Sequence, residues 1–333
     1  MTLAPETEQA LADFLRNRFG TALLVGALTG SHANGWATPR SDYDLIAIVA
    51  PDPTGQSPDR RYEAEVFQGV PVETLVVTLQ EAQRICALRA APSFRFTKSE
   101  DILRMEKFAS AHVLIGAPLW SDLLAMCSPR DYAAKLADRH WRIAAKFFDD
   151  MCGALDQEET DLAVDACRAM LREEVEALLC HTGDTNGRRK WMARRIAAAV
   201  GISTEIKADF RRFHFLYDLG GEAELLPWVQ RAISFHHTLQ SAVLWRPDMG
   251  GTTGGTARPS GLFPSGPLFV WQIDEHWAVK SITRELVLPQ QHVALLLPVM
   301  AGQSAEPSAE ESLVEALINA GLLTRGEGGV EVA

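Results

Sequence analysis

Cysteine is scarce and scattered in this 333-residue chain: Cys86, Cys127, Cys152, Cys167 and Cys180, an odd number with no C-x-x-C pair. Zinc and dithiol redox motifs therefore lack support, and most of the thiols sit in apolar helical patterns where a buried thiol is the ordinary reading. Long apolar runs are missing too. The run HVALLLPVM is short and broken by Pro298, well under the 18 or so residues that a membrane-spanning helix needs. The first residues, MTLAPETEQALADF, carry acids where a signal peptide carries a basic n-region. The expectation is a cytoplasmic protein with no membrane partner. Positive charge is also short: 32 Lys and Arg against 43 Asp and Glu, a net charge of −11. Such a surface repels polyphosphate, so a long nucleic acid is not an expected partner. A small molecule with a few phosphates remains open, because a metal ion and a handful of basic side chains can neutralise it.

What is present is ordinary globular material, 47% hydrophobic and 23% charged, long enough for two or three domains. Residues 6 to 19 repeat apolar positions at helical spacing and stop at Gly20. TALLVGAL and DYDLIAIV read as strands. RYEAEVFQ and PVETLVVT read as a hairpin turning at Gly69-Val70. Helices from about Gln80 and Ser99 and a short strand AHVLIG follow. The pattern then changes to helix after helix, broken at Gly183, Gly187, Gly201 and Gly220-Gly221, which reads as a bundle. PDMGGTTGGTARPSG lacks the G-K-[ST] ending of a phosphate loop and reads as a flexible linker. Beyond it LFVWQI, HWAVKSIT and HVALLLPV look like strands, and PSAEESLVEALINAGLL like a helix capped by Ser308 and ended by Gly321. The expected fold class is α+β. A small mixed sheet spans residues 1–127, a helical bundle 128–246, a linker 247–264 and a winged-helix-like unit 265–333.

The chemistry gathers in LTGSHANGWATPRSDYDLIAIV. On a strand, Asp42 and Asp44 point the same way about 6–7 Å apart. Hard carboxylate oxygens so placed suit a divalent cation such as Mg²⁺. Two solvated acids at a strand mouth would look the same. Gly30-Ser31, after the preceding strand, adds a place where backbone N–H groups and a hydroxyl can meet an anion. Glu73 is a lone acid in an apolar strand, costly there unless solvated or paired. If its strand lies beside the Asp44 strand, the three carboxylates cluster and call for cations.

G-S, ten residues, then D-x-D and a single acid on a later strand resembles the DNA polymerase β-like nucleotidyltransferase superfamily. The stretch GSHANGWATPRSDYDLIAIV is more closely similar to the antibiotic and minimal nucleotidyltransferases, in which a helical bundle follows the catalytic domain. The resemblance implies that Asp42 and Asp44 bind Mg²⁺, that Gly30 and Ser31 hold the triphosphate, and that Glu73 is third metal ligand or general base. Many relatives carry an Arg after G-S, where this chain has His32-Ala33-Asn34-Gly35-Trp36. The implied reaction transfers AMP from ATP to a small-molecule hydroxyl, with release of pyrophosphate. A protein or peptide acceptor and a degenerate nucleotide-binding regulator are the alternatives.

In HTGDTNGRRKWMARRI, five basic residues (Arg188, Arg189, Lys190, Arg194, Arg195) stand in an acidic protein. Most read as a solvated helix face. Lys190-Trp191 is similar to a segment of antibiotic nucleotidyltransferase bundles whose Lys reaches the triphosphate. His236-His237 has no acid or Cys near it in sequence and reads as a structural pair. The C-terminal unit faintly resembles peptide-binding winged helices; a packing or dimerisation module is the plainer reading.

Overall fold

The computed structural model describes residues 3–51, 60–216, 222–244, 262–273, 276–281, 284–300 and 311–325. Residues 247–261 of the expected linker, the Gly220-Gly221 break and the Ser308 cap lie outside them. The architecture mixes helices with a five-stranded sheet, in line with the α+β expectation. Among the described residues no helix is long and apolar enough to cross a membrane.

Helix α1 (Pro5–Phe19) starts with Pro and two acids and ends with Arg16 and Arg18 before Gly20, the order that its dipole favours. Its Leu11 and Leu15 need an apolar partner and find one in the first sheet. Strands β1 (Leu23–Thr29), β2 (Tyr43–Val49), β3 (Arg60–Phe67), β4 (Val70–Thr78) and β5 (His112–Ile115) stand in the order β3-β4-β2-β1-β5. A four-residue helix α2 (Gly30–Ala33) sits between β1 and β2. The β3–β4 hairpin turns at Gln68 and Gly69, with φ of 51° and 81°, as a two-residue turn with both centres left-handed requires. That is one residue earlier than expected. Helix α3 (Leu79–Arg89), started by the Thr78 side chain accepting from the Glu81 N–H, packs on β2 and β4. Helix α4 (Ser99–Ala109) packs on α3, and α5 (Ala117–Leu124) on β1 and β5.

The helical stretch contains α6 (Pro129–Asp156), α7 (Thr160–His181), a 3₁₀ turn (Arg189–Trp191), α8 (Met192–Ala198), α9 (Thr204–His214) and α10 (Leu225–Leu244). After it come β6 (Leu262–Pro264), β7 (Phe269–Ile273), β8 (His276–Lys280), β9 (Glu285–Leu288), α11 (Gln290–Met300), α12 (Glu311–Asn319) and β10 (Leu323–Arg325). The strand expected over HVALLLPV is thus helix α11. Val293, Leu295, Leu296, Leu297, Val299 and Met300 are all buried there, and an apolar run buried all round shows neither period. With a helix in that place, these elements do not establish a winged helix. By contacts the chain groups into two units, 1–136 with 183–198 and 137–182 with 199–333. The basic segment therefore folds with the acidic strand and not with the bundle.

In the second unit, β7 is an edge strand of the sheet β7-β8-β9, and its outward backbone groups need partners. Helix side chains supply them. His236 Nε2 donates to Leu268 O (2.9 Å), Leu268 N donates to His237 Nε2 (3.2 Å), Val270 N to Gln240 Oε1 (3.0 Å), and Trp141 Nε1 to Val270 O (3.0 Å). The expected structural histidine pair is therefore what the fold contains. Its acid comes from α7: Glu174 Oε1 lies 2.7 Å from His236 Nδ1, both side chains fully buried. Burial pushes the Glu174 carboxyl up, partly opposed by His236.

His237 must stay neutral to accept from Leu268. Burial, and then the neighbouring His236, hold its pKa well below the ordinary histidine value. The unfolded chain takes up that proton below about pH 6.5 and the folded chain does not, so this residue's stabilising share is complete above about pH 6.5 and is lost as pH falls. On account of His237, stability of the wild type in urea should fall as pH drops below about 6.5, by about 1.4 kcal/mol per pH unit. His237→Gln, which keeps an acceptor, should lower stability at pH 7.5 and flatten the slope by that amount. Equal slopes in both proteins would refute the buried neutral imidazole.

Candidate active site

Tyr43, Leu45, Ala47 and Val49 pack on the α1 side of the sheet together with Val72 and Val76. By the two-residue strand period, Asp44 and Glu73 then share the opposite face. The parallel register sets Asp44 directly beside Glu73, and the antiparallel one sets it beside Thr29. Neighbouring strands lie about 4.8 Å apart, so the two carboxylates are side by side. The Asp44 side chain is 14% exposed, while Glu73 is open to solvent. The strand begins at Tyr43, so Asp42 lies one residue ahead of it, half-buried, and not within it as expected.

Gly30 presses on Asp44. Its φ is +71°, and a Cβ there would fall 2.0 Å from Asp44 Oδ2, so only glycine lets the chain come this close. Ser31 is buried. The turn is tied internally: Asn34 Nδ2 donates to Gly30 O (2.7 Å) and Trp36 N to Ser31 O (2.8 Å). The His32 ring lies on Tyr43, centroids 4.4 Å apart. These contacts lock the start of α2 against the start of β2.

A cation that sequence reasoning missed completes the face. Lys107 Nζ is 3.4 Å from Asp44 Oδ1, with the two side chains 12% and 14% exposed, and it lies 5.5 Å from the Tyr62 ring centroid. Thr29 Oγ1 donates to Lys107 O at 3.2 Å, which holds the last turn of α4 over β1. In sequence, Lys107 reads only as the basic residue that a helix end favours. Nothing local says that it meets an acid 63 positions away.

The basic segment is anchored on the same unit. Asp184 Oδ1 accepts from Asn186 N and Asn186 Oδ1 from Arg188 N, two successive side-chain turns. Gly187 lies so near Glu106 that a Cβ would be 2.4 Å from its Oε1. Arg194 Nη1 donates to Trp36 O (2.8 Å), its guanidinium lies over the Trp191 ring, and that ring is 6.2 Å from Trp36. Lys190 is exposed, with its ammonium 5.4 Å from the Trp191 ring centroid. No hydrogen bond or ion pair joins it to the carboxylates among the described residues. Arg195 corrects the solvated-face expectation: it is 1% exposed, and its Nε donates to Asp184 Oδ2 at 3.0 Å.

Among the described residues, no three His, Cys, Asp or Glu side chains converge closely enough to cage an ion. Three clustered carboxylates repel without a cation, and here the ammonium of Lys107 neutralises Asp44. The donor set still fits a hard divalent cation in kind: oxygen ligands only, two of them on adjacent strands.

No protein-family model matches the chain, and no curated protein matches it. One similar solved structure is a nucleotidyltransferase-like protein from Exiguobacterium sibiricum 255-15. The two are 10% identical, with 70% of this chain and 78% of that chain covered at a TM-score of 0.33. At that distance the likeness carries no argument.

Gly30→Ala should destabilise the protein by about 1–3 kcal/mol in urea unfolding, from left-handed backbone strain and collision with Asp44. In an Asp44→Gly background the collision is gone, and the same substitution should cost only the backbone part, about 1 kcal/mol. Equal costs in the two backgrounds would mean that Gly30 and Asp44 do not press on one another.

Proposed function

We propose that the chain is a nucleotidyltransferase that moves a nucleoside monophosphate, AMP from ATP, to a hydroxyl of a small molecule and releases pyrophosphate. The observation that carries this reading is the side-by-side placement of Asp44 and Glu73 at the turn opened by Gly30. An acidic face with a glycine-opened turn beside it can hold a metal-bound triphosphate, whereas an acidic face alone repels one.

In the proposed reaction the acceptor oxygen attacks the α-phosphorus in line with the leaving pyrophosphate. The new phosphorus–oxygen bond forms as the bond to the β-phosphate oxygen breaks, and the hydroxyl proton passes to a carboxylate. Asp44 and Glu73, with Asp42 one residue ahead of the strand completing the set once a metal-bound nucleotide draws it in, would hold Mg²⁺, which when bound supplies positive charge to the triphosphate. Glu73 is the more exposed of the paired acids and is suited to take the proton. Backbone N–H groups at Gly30 and Ser31 face the anion. Lys190, exposed and without an ion pair among the described residues, contributes charge to the β- or γ-phosphate. Lys107 positions Asp44, and Arg194 fixes the basic segment through the Trp36 carbonyl.

The test is pyrophosphate release by the full chain with each of four nucleoside triphosphates and Mg²⁺, beside mass spectrometry of the acceptor, which separates a small molecule from a peptide. Asp44→Asn should reduce release to background and keep the fold. Full turnover in that variant would sink the reading. Glu73→Gln should lose rate but keep nucleotide affinity if it is the base, and lose both if it is a ligand. Lys190→Ala should weaken ATP binding by about 10- to 150-fold, and Arg194→Ala by less. Equal small losses in both would remove Lys190 from the site.

A further inference from the structure

At the far end of α3, where Arg89 ends the helix, the first unit contains a cavity of about 510 Å³. Arg89 lines it. This side chain is 3% exposed, and among the described residues neither Nε nor Nη1 has a hydrogen-bond partner. Its guanidinium lies 4.9 Å from the centroid of the Tyr132 ring. A second cation stands close by: Lys135 Nζ donates to Arg89 O at 2.9 Å. Neither residue pairs with a carboxylate among the described residues. Burying an arginine without an anion is expensive, so a site that keeps one is built to receive an anion.

The remaining walls say what kind. Trp120, stacked on Phe108, and Leu124 give an apolar side, and the hydroxyls of Ser121 and Thr185 stand on the lining. Helix α6, 28 residues long, begins at Pro129, which also lines the cavity, so the positive end of its dipole adds to the field. We propose that this cavity binds a small organic anion, with a carboxylate or phosphate oxygen on the Arg89 guanidinium and an apolar body against Trp120 and Leu124. None of Asp42, Asp44, Glu73 or Lys107 lines it, so the inference stands apart from the proposed transfer reaction.

The experiment is isothermal titration of the full chain with inorganic phosphate and with benzoate, at ionic strength fixed with chloride. Saturable uptake of one anion or both is expected, and the preferred one distinguishes a phosphate-bearing from a carboxylate-bearing ligand. Arg89→Met, which keeps volume and removes the charge, should weaken that uptake roughly tenfold or more. Leu124→Trp fills the cavity with Arg89 in place and should abolish it, which decides the matter even if Arg89→Met fails to fold. No saturable uptake of either anion by the wild type would overturn the proposal. So would wild-type affinity in either variant. Neither probe is a nucleotide and no acid of the strand is altered, so this result and that of the pyrophosphate assay can fail separately.

Discussion

The parallel pairing of β2 with β4 is the constraint on which the first unit rests. Its register is held by the apolar residues that both strands send to α1: Leu45, Ala47 and Val49 from β2, Val72 and Val76 from β4. A slip of one residue would turn that set outward and carry Asp44 or Glu73 into the core. The burial that stabilises the sheet is therefore also what aligns the two acids, and neither role can be changed without the other. The β3–β4 hairpin adds to this, because its two left-handed turn residues leave β4 little freedom to slide.

Charge is then placed to make the acidic face tolerable. Asp44 is nearly buried and lies against backbone at Gly30, where water cannot fully solvate it. The ammonium of Lys107 stands against it in a chain whose net charge is −11. Arg195 and Asp184 are paired in the same unit. Arg89 differs from these pairs: it is a buried cation whose Nε and Nη1 meet no partner among the described residues. A buried guanidinium left without a carboxylate marks a place where an anion from outside the chain can bind.

In the second unit the problem is the free edge of β7, and the solution is neither a further strand nor a charged rim. Side chains of α6 and α10 take the hydrogen bonds that another strand would have taken. This fixes the sheet to the helices through directional contacts and makes the docking depend on the protonation of His237. A buried polar network of this kind specifies one arrangement because each alternative leaves a donor or acceptor unmet.

Where hydrophobic period and turn chemistry are local, the chain could be read directly. The helix ending at Gly20, the strands around Gly30, the hairpin over 60–78 and the long helices from Pro129 all follow from patterns within a few residues. So did the acids themselves, since D-x-D and a lone Glu in an apolar strand are visible without a fold. HVALLLPV could not be read, because residues buried on every side have no period to show. The neighbours were beyond sequence altogether. That Asp44 stands beside Glu73 was conditional on which strands pair, and Lys107 reaches Asp44 only because α4 ends over β1. Glu174 reaches His236 across 62 positions, and Arg195 is buried by a loop that folds back onto the first unit. By itself the sequence determined which chemical groups are present and the local elements that carry them. The tertiary structure decided which of those groups meet, because strand order and helix docking are set by burial summed over the whole unit and not by any one segment.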